Sequence, residues 1–242
     1  DKPIIIINTC RYENPFMSDI ERWNALSNKI KDYYNTGKLY IVSNNKADRD
    51  YLELGTGIFS KHIPSICLYT GAKYRGVKDI FILCDYSNII SETDRIKKKS
   101  SIFRKNHTWQ ELYDYKGIVV IPYEVSTMSI FEQYTANVPM FFPSKTYLKD
   151  LVNSGRVKLQ SKYSTTYPPQ FEPALGGNHD FWIDRADFYD EENMKYIQYF
   201  NSPEHLNTLL DTVNLKEISE NMKNHNIGRI SKAKTDWKNI LS

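Results

Sequence analysis

The residue types best suited to chemistry sit together in residues 117–144, GIVVIPYEVSTMSIFEQYTANVPMFFPS. An apolar run ends at Pro122, a polar turn follows over residues 123–126, and a helical pattern begins with several hydroxyls. A helix that starts this way presents free backbone N–H groups and a positive dipole end, which suits phosphate or another anion. Helical spacing places Ile130, Phe131 and Tyr134 on one face and Ser129, Glu132 and Gln133 on the other. A carboxylate beside an anion site repels phosphate, but it accepts well from the paired hydroxyls of a ribose. Ser129 and Glu132 also match the S-x-x-E capping box, which needs no ligand, and the two readings do not exclude each other.

Other constellations carry less. Asp48-Arg49-Asp50 has the D-x-D spacing of a metal–diphosphate motif, but no hydrophobic strand leads directly into it, so a solvated helix face is expected. Gly55-x-Gly57 lacks a third glycine, since Ser60 stands there, and it follows a helical pattern rather than a strand. There is no phosphate-loop lysine motif. The histidines His62, His107, His179, His205 and His225 show no metal-ligand spacing. Asn178-His179-Asp180 reads as a surface loop that could also line a cleft.

The elements that must position these residues follow from composition and periodicity. The 242 residues are 40% hydrophobic and 25% charged, which suits an ordinary globular chain with a sizeable core. Thirty-two basic residues against 29 acidic ones give a net charge of +3, too small for a general polyanion-binding field, so nucleic acid is not an expected partner. Three cysteines without a C-x-x-C pair argue against a disulfide scaffold and favour a reducing, cytoplasmic setting. The longest apolar runs are strand-sized, so no membrane span is expected, and the abrupt opening suggests a domain cut from a longer chain.

Strands are expected at residues 4–7 (buried on both faces), 39–42, 63–68, 80–84, 117–122 and 139–142. Helices are expected near residues 20–36, 44–54, 109–113, 126–137, 145–153, 193–200 and 203–212, with a long one at the end. Alternation of this kind predicts an α/β fold with two Rossmann-like parallel-sheet halves, residues 1–72 and 73–242, facing a cleft. The irregular, Tyr-, Pro- and Gly-rich stretch 156–190 is of the kind that often builds binding sites.

A strand, a Ser-rich turn, a helix carrying Glu132, then Ala-Asn-Val-Pro and a new strand resembles the donor-binding segment of GT-B glycosyltransferases. More loosely, residues 44–65 and 182–237 are similar to glycosyltransferase domains encoded by large DNA viruses of the chlorovirus kind. Asn137 stands where that family usually has glycine, a mild departure because Asn tolerates the left-handed conformation of a helix end. The resemblance implies that Ser126, Thr127, Met128 and Ser129 lie by the phosphates of a nucleoside-diphosphate sugar and Glu132 by its ribose. It implies a small acceptor-side first domain, a donor-binding second domain, and a final helix that crosses back to the first. No metal and no cofactor are then expected beyond the sugar nucleotide, with UDP favoured, and the partner is a glycan acceptor.

An inverting enzyme of this type needs a general base, usually from the first domain just after a strand. The loop after residues 4–7 offers Glu13 as first choice and Asp19 as second, while His62 lies before its expected strand, at the wrong end. Arg11 could bind acceptor or phosphate. Lys73, Arg75, Arg104 and Lys105 are candidates to offset the leaving diphosphate charge, and Tyr74, Tyr123 and Tyr167 to stack on a base or sugar. The expected activity is transfer of a sugar, a deoxyhexose such as rhamnose being one option, to a glycan hydroxyl. A sugar-nucleotide epimerase and a non-catalytic nucleotide- or glycan-binding module remain as alternatives.

Overall fold

Short β-branched and aromatic runs form the strands, and side-chain caps set where the helices begin. In the computed structural model, which describes residues 3–103, 106–160 and 165–242, they build a mixed α/β protein with two parallel sheets. The first unit runs β1 (Ile4–Asn8), α1 (Ile20–Asn35), β2 (Leu39–Ser43), α2 (Lys46–Thr56) and β3 (Lys61–His62), with sheet order β1-β2-β3. The second runs β4 (Lys78–Asp85), β5 (Ile96–Lys98), α3 (Lys99–Ile102), α4 (Trp109–Tyr113), β6 (Tyr115–Ile121), α5 (Met128–Thr135), β7 (Met140–Pro143) and α6 (Lys145–Asn153). Two one-turn helices, α7 (Glu172–Leu175) and α8 (Asp180–Ile183), precede β8 (Gln198–Phe200), α9 (Pro203–Thr212) and the long α10 (Leu215–Leu241).

Five strands of the second sheet lie in the order β5-β4-β6-β7-β8. The chain therefore steps from β4 outward to β5, then crosses back over β4 to continue on the other side. That reversal lies between β4 and β6, and in open parallel sheets ligands bind in the crevice beyond the carboxyl ends of such a strand pair.

Aromatic packing joins the two sheets. Phe171, fully buried, has its ring centroid 4.7 Å from that of Trp23 on α1 and 4.8 Å from that of Tyr51 on α2. Tyr51 in turn lies 5.3 Å from the Trp182 ring on α8. One hydrophobic cluster consequently runs from Trp23 and Tyr51 through Trp182 to Phe81, Ile118 and Phe141 of the second sheet. Gly55 permits this approach, because a Cβ there would meet Phe171 Cζ at 2.6 Å, while Gly57 ends α2 in the left-handed region at φ 70°. The glycine pair is thus structural. Helix α10 returns to the first sheet, packing Ala233, Trp237 and Ile240 against Val42 and Ile63.

Several expectations are corrected. Strand β1 is not buried on both faces. It is a sheet edge, paired among the described residues with β2 alone, and Ile4 and Ile7 are 49% and 56% exposed. The third strand is Lys61–His62 rather than 63–68, which pairs His62 with Ser43, the last residue of β2. His62 therefore lies at the carboxyl edge of the sheet, not at the wrong end. Residues 198–200, expected to be helical, form β8, and the charged run after Glu92 hides the strand β5. Asp48 is no solvated helix residue but is 2% exposed. Among the described residues, no helix is long and apolar enough to cross a membrane.

Removing the ring that joins the units should be costly. Phe171→Ala is expected to lower stability by about 3–5 kcal/mol, the usual cost of deleting a buried aromatic side chain. Gly55→Ala should also destabilise, through overpacking against the same ring. Chemical denaturation with fluorescence and circular dichroism would check both, and a loss below about 1 kcal/mol for Phe171→Ala would contradict this role.

Candidate functional site

The β6–α5 turn lies at the switch point. Helix α5 begins after Thr127, whose side chain makes no capping bond to the helix and instead lies 3.0 Å from the Ser129 hydroxyl. The S-x-x-E capping reading of Ser129 and Glu132 is thereby overturned, since Thr127 is the N-cap residue and Ser129 lies inside the first turn. A reciprocal capping box does form elsewhere, between Thr108 and Glu111 at the start of α4. An α5 start without a side-chain cap leaves first-turn N–H groups and the positive helix end for an outside acceptor.

A cavity of about 100 Å³ opens at this helix start, lined by Cys84, Tyr86, Lys99, Tyr123, Glu124, Thr127, Ser129 and Gln133 among others. It adjoins a second of about 550 Å³, lined by Tyr86, Ser87, Tyr123, Gly155, Arg156, Lys158 and Gln160. Tyr86 and Tyr123 belong to both, with ring centroids 5.4 Å apart and nearly perpendicular planes. The Asp85 carboxylate fixes the Tyr86 loop by accepting from the backbone N–H groups of Ser87 at 2.7 Å and Ile90 at 2.8 Å. The Gln160 N–H donates to the Tyr123 carbonyl at 2.9 Å, which holds the segment bearing Arg156 and Lys158 against the groove. Among the described residues, no carboxylate ion-pairs with Lys99, Arg156 or Lys158. The groove thus offers an anion-seeking helix end, an aromatic wall and three cations.

Across from it stands the loop after β1. Arg11 reaches over to Glu124 at 3.1 Å, lies 3.7 Å from Asp48 and packs 5.3 Å from the Trp182 ring centroid. Burial acts to lower the Arg11 value, but Asp48 and Glu124 outweigh it and hold the guanidinium more firmly protonated. Behind it lies a layer of buried polar groups. Asn8 donates to the Ser43 hydroxyl and the Asp48 carbonyl, Asn45 caps α2 through the Asp48 N–H, and Lys46 pairs with Asp190 at 2.8 Å. Burial pushes Asp48 and Asp187 up from the usual carboxylate range and His62 down to about 4.

Of the sequence candidates, Tyr123, Thr127 and Ser129 line the cavity at the switch point, whereas Ser126 and Met128, though adjacent in sequence, do not. Ser126 faces inward beside the buried Asp187 carboxyl. Glu132 does not join them: it accepts a hydrogen bond from the Tyr69 hydroxyl on the opposite flank of α5, while Gln133 lines the cavity. Lys73 and Arg75 also lie elsewhere, because they precede β4 and so sit at the amino edge of the sheet. Arg75 is held there by Asp114 through two 2.6 Å contacts. Lys73 lines a separate hollow with Thr135, Asn137 and Lys223. Arg104 and Lys105 lie outside the described residues.

The two carboxylates proposed as bases take structural places. Asp19 is the N-cap of α1, accepting from the Arg22 N–H at 3.1 Å. Glu13 is fully buried and accepts from the Tyr51 hydroxyl at 2.9 Å. Tyr74 donates to the Lys116 carbonyl and Tyr167 to Glu172, so neither stacks in the groove. Asn178 and Asp180 form a local turn bond, as a surface loop does. Tyr86, Lys99, Arg156 and Lys158 escaped the sequence reading. Tyr86 had a legible signal, since it stands one residue beyond Asp85 at the end of the apolar run 80–84, near where Tyr123 stands after 117–122.

Glu13 supplies a pH test. Burial pushes its carboxyl up to about 7 from an ordinary 4.5. The folded state then holds a proton that the unfolded state has released, so stability should fall as pH rises from about 4.5 to about 7 and level off above. Glu13→Gln should remove that slope, matching the wild type near pH 4.5 and exceeding it at pH 8. Urea titrations at several pH values would show it, and parallel curves for the two proteins would contradict the assignment.

Comparison of the chain with protein-family models, with curated proteins and with solved structures finds no match.

Proposed function

We propose that this protein binds a nucleoside diphosphate at the switch point of the second sheet and transfers a sugar from it to a glycan hydroxyl, in the manner of GT-B glycosyltransferases. The carrying observation is the meeting, in one groove, of an α5 start without a side-chain cap, Lys99 and the Tyr86–Tyr123 pair. Phosphate oxygens suit the helix end and the Lys99 ammonium, and a nucleobase suits a tyrosine face. In this reading residues 1–72 form the acceptor side and residues 73–242 the donor side, with Arg11 and Glu124 where the two approach. Arg11 would exchange its carboxylate partners for the developing diphosphate charge, a role open to a guanidinium that already spans the gap.

A second reading is a nucleotide-binding module without transfer, which the burial of Glu13 favours. A general base must come within hydrogen-bond reach of the acceptor hydroxyl, and Glu13 borders none of the cavities described above.

Calorimetry and thermal unfolding with UDP, GDP, ADP and dTDP, with and without EDTA, separate these readings from their failure. One nucleotide should bind without a metal, adding about 2.7 kcal/mol of stability at one hundred times its Kd. Tyr123→Ala should cost about 1–3 kcal/mol of binding through lost stacking, and Lys99→Ala about 1.5–3 kcal/mol through a lost charged hydrogen bond. Glu132→Ala should leave affinity unchanged. Binding with glycan-dependent release of the sugar supports transfer, binding without it supports the module, and no binding of any nucleotide overturns both.

A further inference from the structure

The most spacious hollow described here lies away from the switch point, between the segment that follows β3 and the last three turns of α10. It has a volume of about 650 Å³, within the range of small-molecule pockets. One wall is wholly apolar and consists of Pro64, Ile66 and Leu68. The other is the α10 face carrying Ile230, Ala233 and Trp237, with Lys234 and Lys238 along its rim. Leu68 is 53% exposed, an apolar side chain left at the edge of an apolar groove.

The charged side chains that line the hollow, Lys234 and Lys238, have one sign, and Leu241 and Ser242 complete its end. Lys234 and Lys238 are four residues apart, so they project from one side of the helix. Neither ion-pairs with a carboxylate among the described residues. Asp236, the acidic residue between them, is turned away and paired with Lys61 at 2.9 Å. The groove therefore joins a long apolar floor to two cations on a single rim.

We infer that this groove binds a single-chain amphiphile with an anionic head, the alkyl chain lying on Ile66, Leu68 and Trp237 and the head on Lys234 and Lys238. The complementarity is specific in kind. An alkyl chain needs no hydrogen-bond partners, and the Pro64–Ile66–Leu68 wall offers no polar side chain. Each methylene removed from water contributes about 0.8 kcal/mol, and the paired ammonium groups select a charged head over a neutral one. A nucleotide lacks a counterpart to the apolar floor, so this site is separate from the switch-point groove and does not depend on its assignment.

The test uses the whole chain and decyl phosphate below its micellar concentration, with decanol and inorganic phosphate as controls, all by isothermal calorimetry. Decyl phosphate should bind saturably and more tightly than either control. Lys234→Glu/Lys238→Glu should weaken decyl phosphate about tenfold or more, about 1.4 kcal/mol per factor of ten, and leave decanol unchanged. Leu68→Glu, at an exposed position that should not disturb folding, should weaken both alkyl ligands. Thermal unfolding of each variant confirms that the fold is intact. The inference is overturned if decyl phosphate does not saturate, if inorganic phosphate binds as well as it does, or if the double variant binds it unchanged.

Discussion

A short aromatic seam joins the two sheets, and the meeting of the loop after β1 with the second unit depends on it. Phe171 enters between Trp23 and Tyr51, and Trp182 closes against Tyr51 from the other side. Rings of this size remove large apolar areas from water and pack in tilted pairs that fix orientation as well as distance. The seam brings the carboxyl edge of the three-stranded sheet down onto the segment 187–193. It also holds the loop after β1 within reach of the loop after β6, where Arg11 meets Glu124. Without the seam, Trp23 of α1 and Tyr51 of α2 would lose the rings they pack against, while Ile30 and Leu52 would keep their cluster with Leu39, Ile41 and Ile58.

Beside the seam lies a buried polar layer, most of whose groups pair with one another, although among the described residues the Asp48 Oδ1 atom accepts no hydrogen bond and has only the Arg11 guanidinium 3.7 Å away. Asn8, Ser43, Asn44, Asn45, Asp48 and Ser60 are all nearly inaccessible, and a chain of hydrogen bonds links them. Such a layer is stabilising only when it is satisfied, because an unpaired buried donor or acceptor costs about 1–3 kcal/mol. The cross-unit pairs Arg11–Glu124, Lys46–Asp190 and Arg185–Asp50 continue the layer between the sheets. They add little to stability, since desolvation offsets much of the attraction between partly buried charges.

The switch point has a different character. It lies outside the seam, where the strand order reverses between β4 and β6. Glu124 and Gln133 beside its two tyrosines are buried, while the tyrosines themselves are exposed, Tyr86 79% and Tyr123 39%. Their positions are set by backbone devices, the Asp85 carboxylate on one side and the Gln160 N–H on the other. Exposed aromatic faces on an ordered loop frame suit recognition better than support.

Much of this was readable in the sequence. Residues 145–153 and 203–212 show helical periodicity and form α6 and α9 at those bounds, and residues 39–42 and 80–84 fall inside β2 and β4. The turn before α5 was also legible, because an apolar run ending in Pro122 and followed by hydroxyls is a local signal. Local composition failed where partners decided the outcome. The four isoleucines of β1 read as a buried strand, yet burial depends on a neighbour and β1 has one on a single side. Glu13 and Asp48 look like loop and helix-surface carboxylates, yet both are buried, Glu13 against the Tyr51 hydroxyl and Asp48 against Asn45 and Arg11. Lys73 and Arg75 stand close in sequence to the donor unit but at the far end of its strands, and strand direction cannot be read from charge. The sequence by itself determined the alternation of strands and helices and the polar turn that leads into α5, because those follow from spacing along the chain. The tertiary structure alone decided which charges are buried, which tyrosines share a wall and which face of α10 stays open, because each depends on residues tens of positions away.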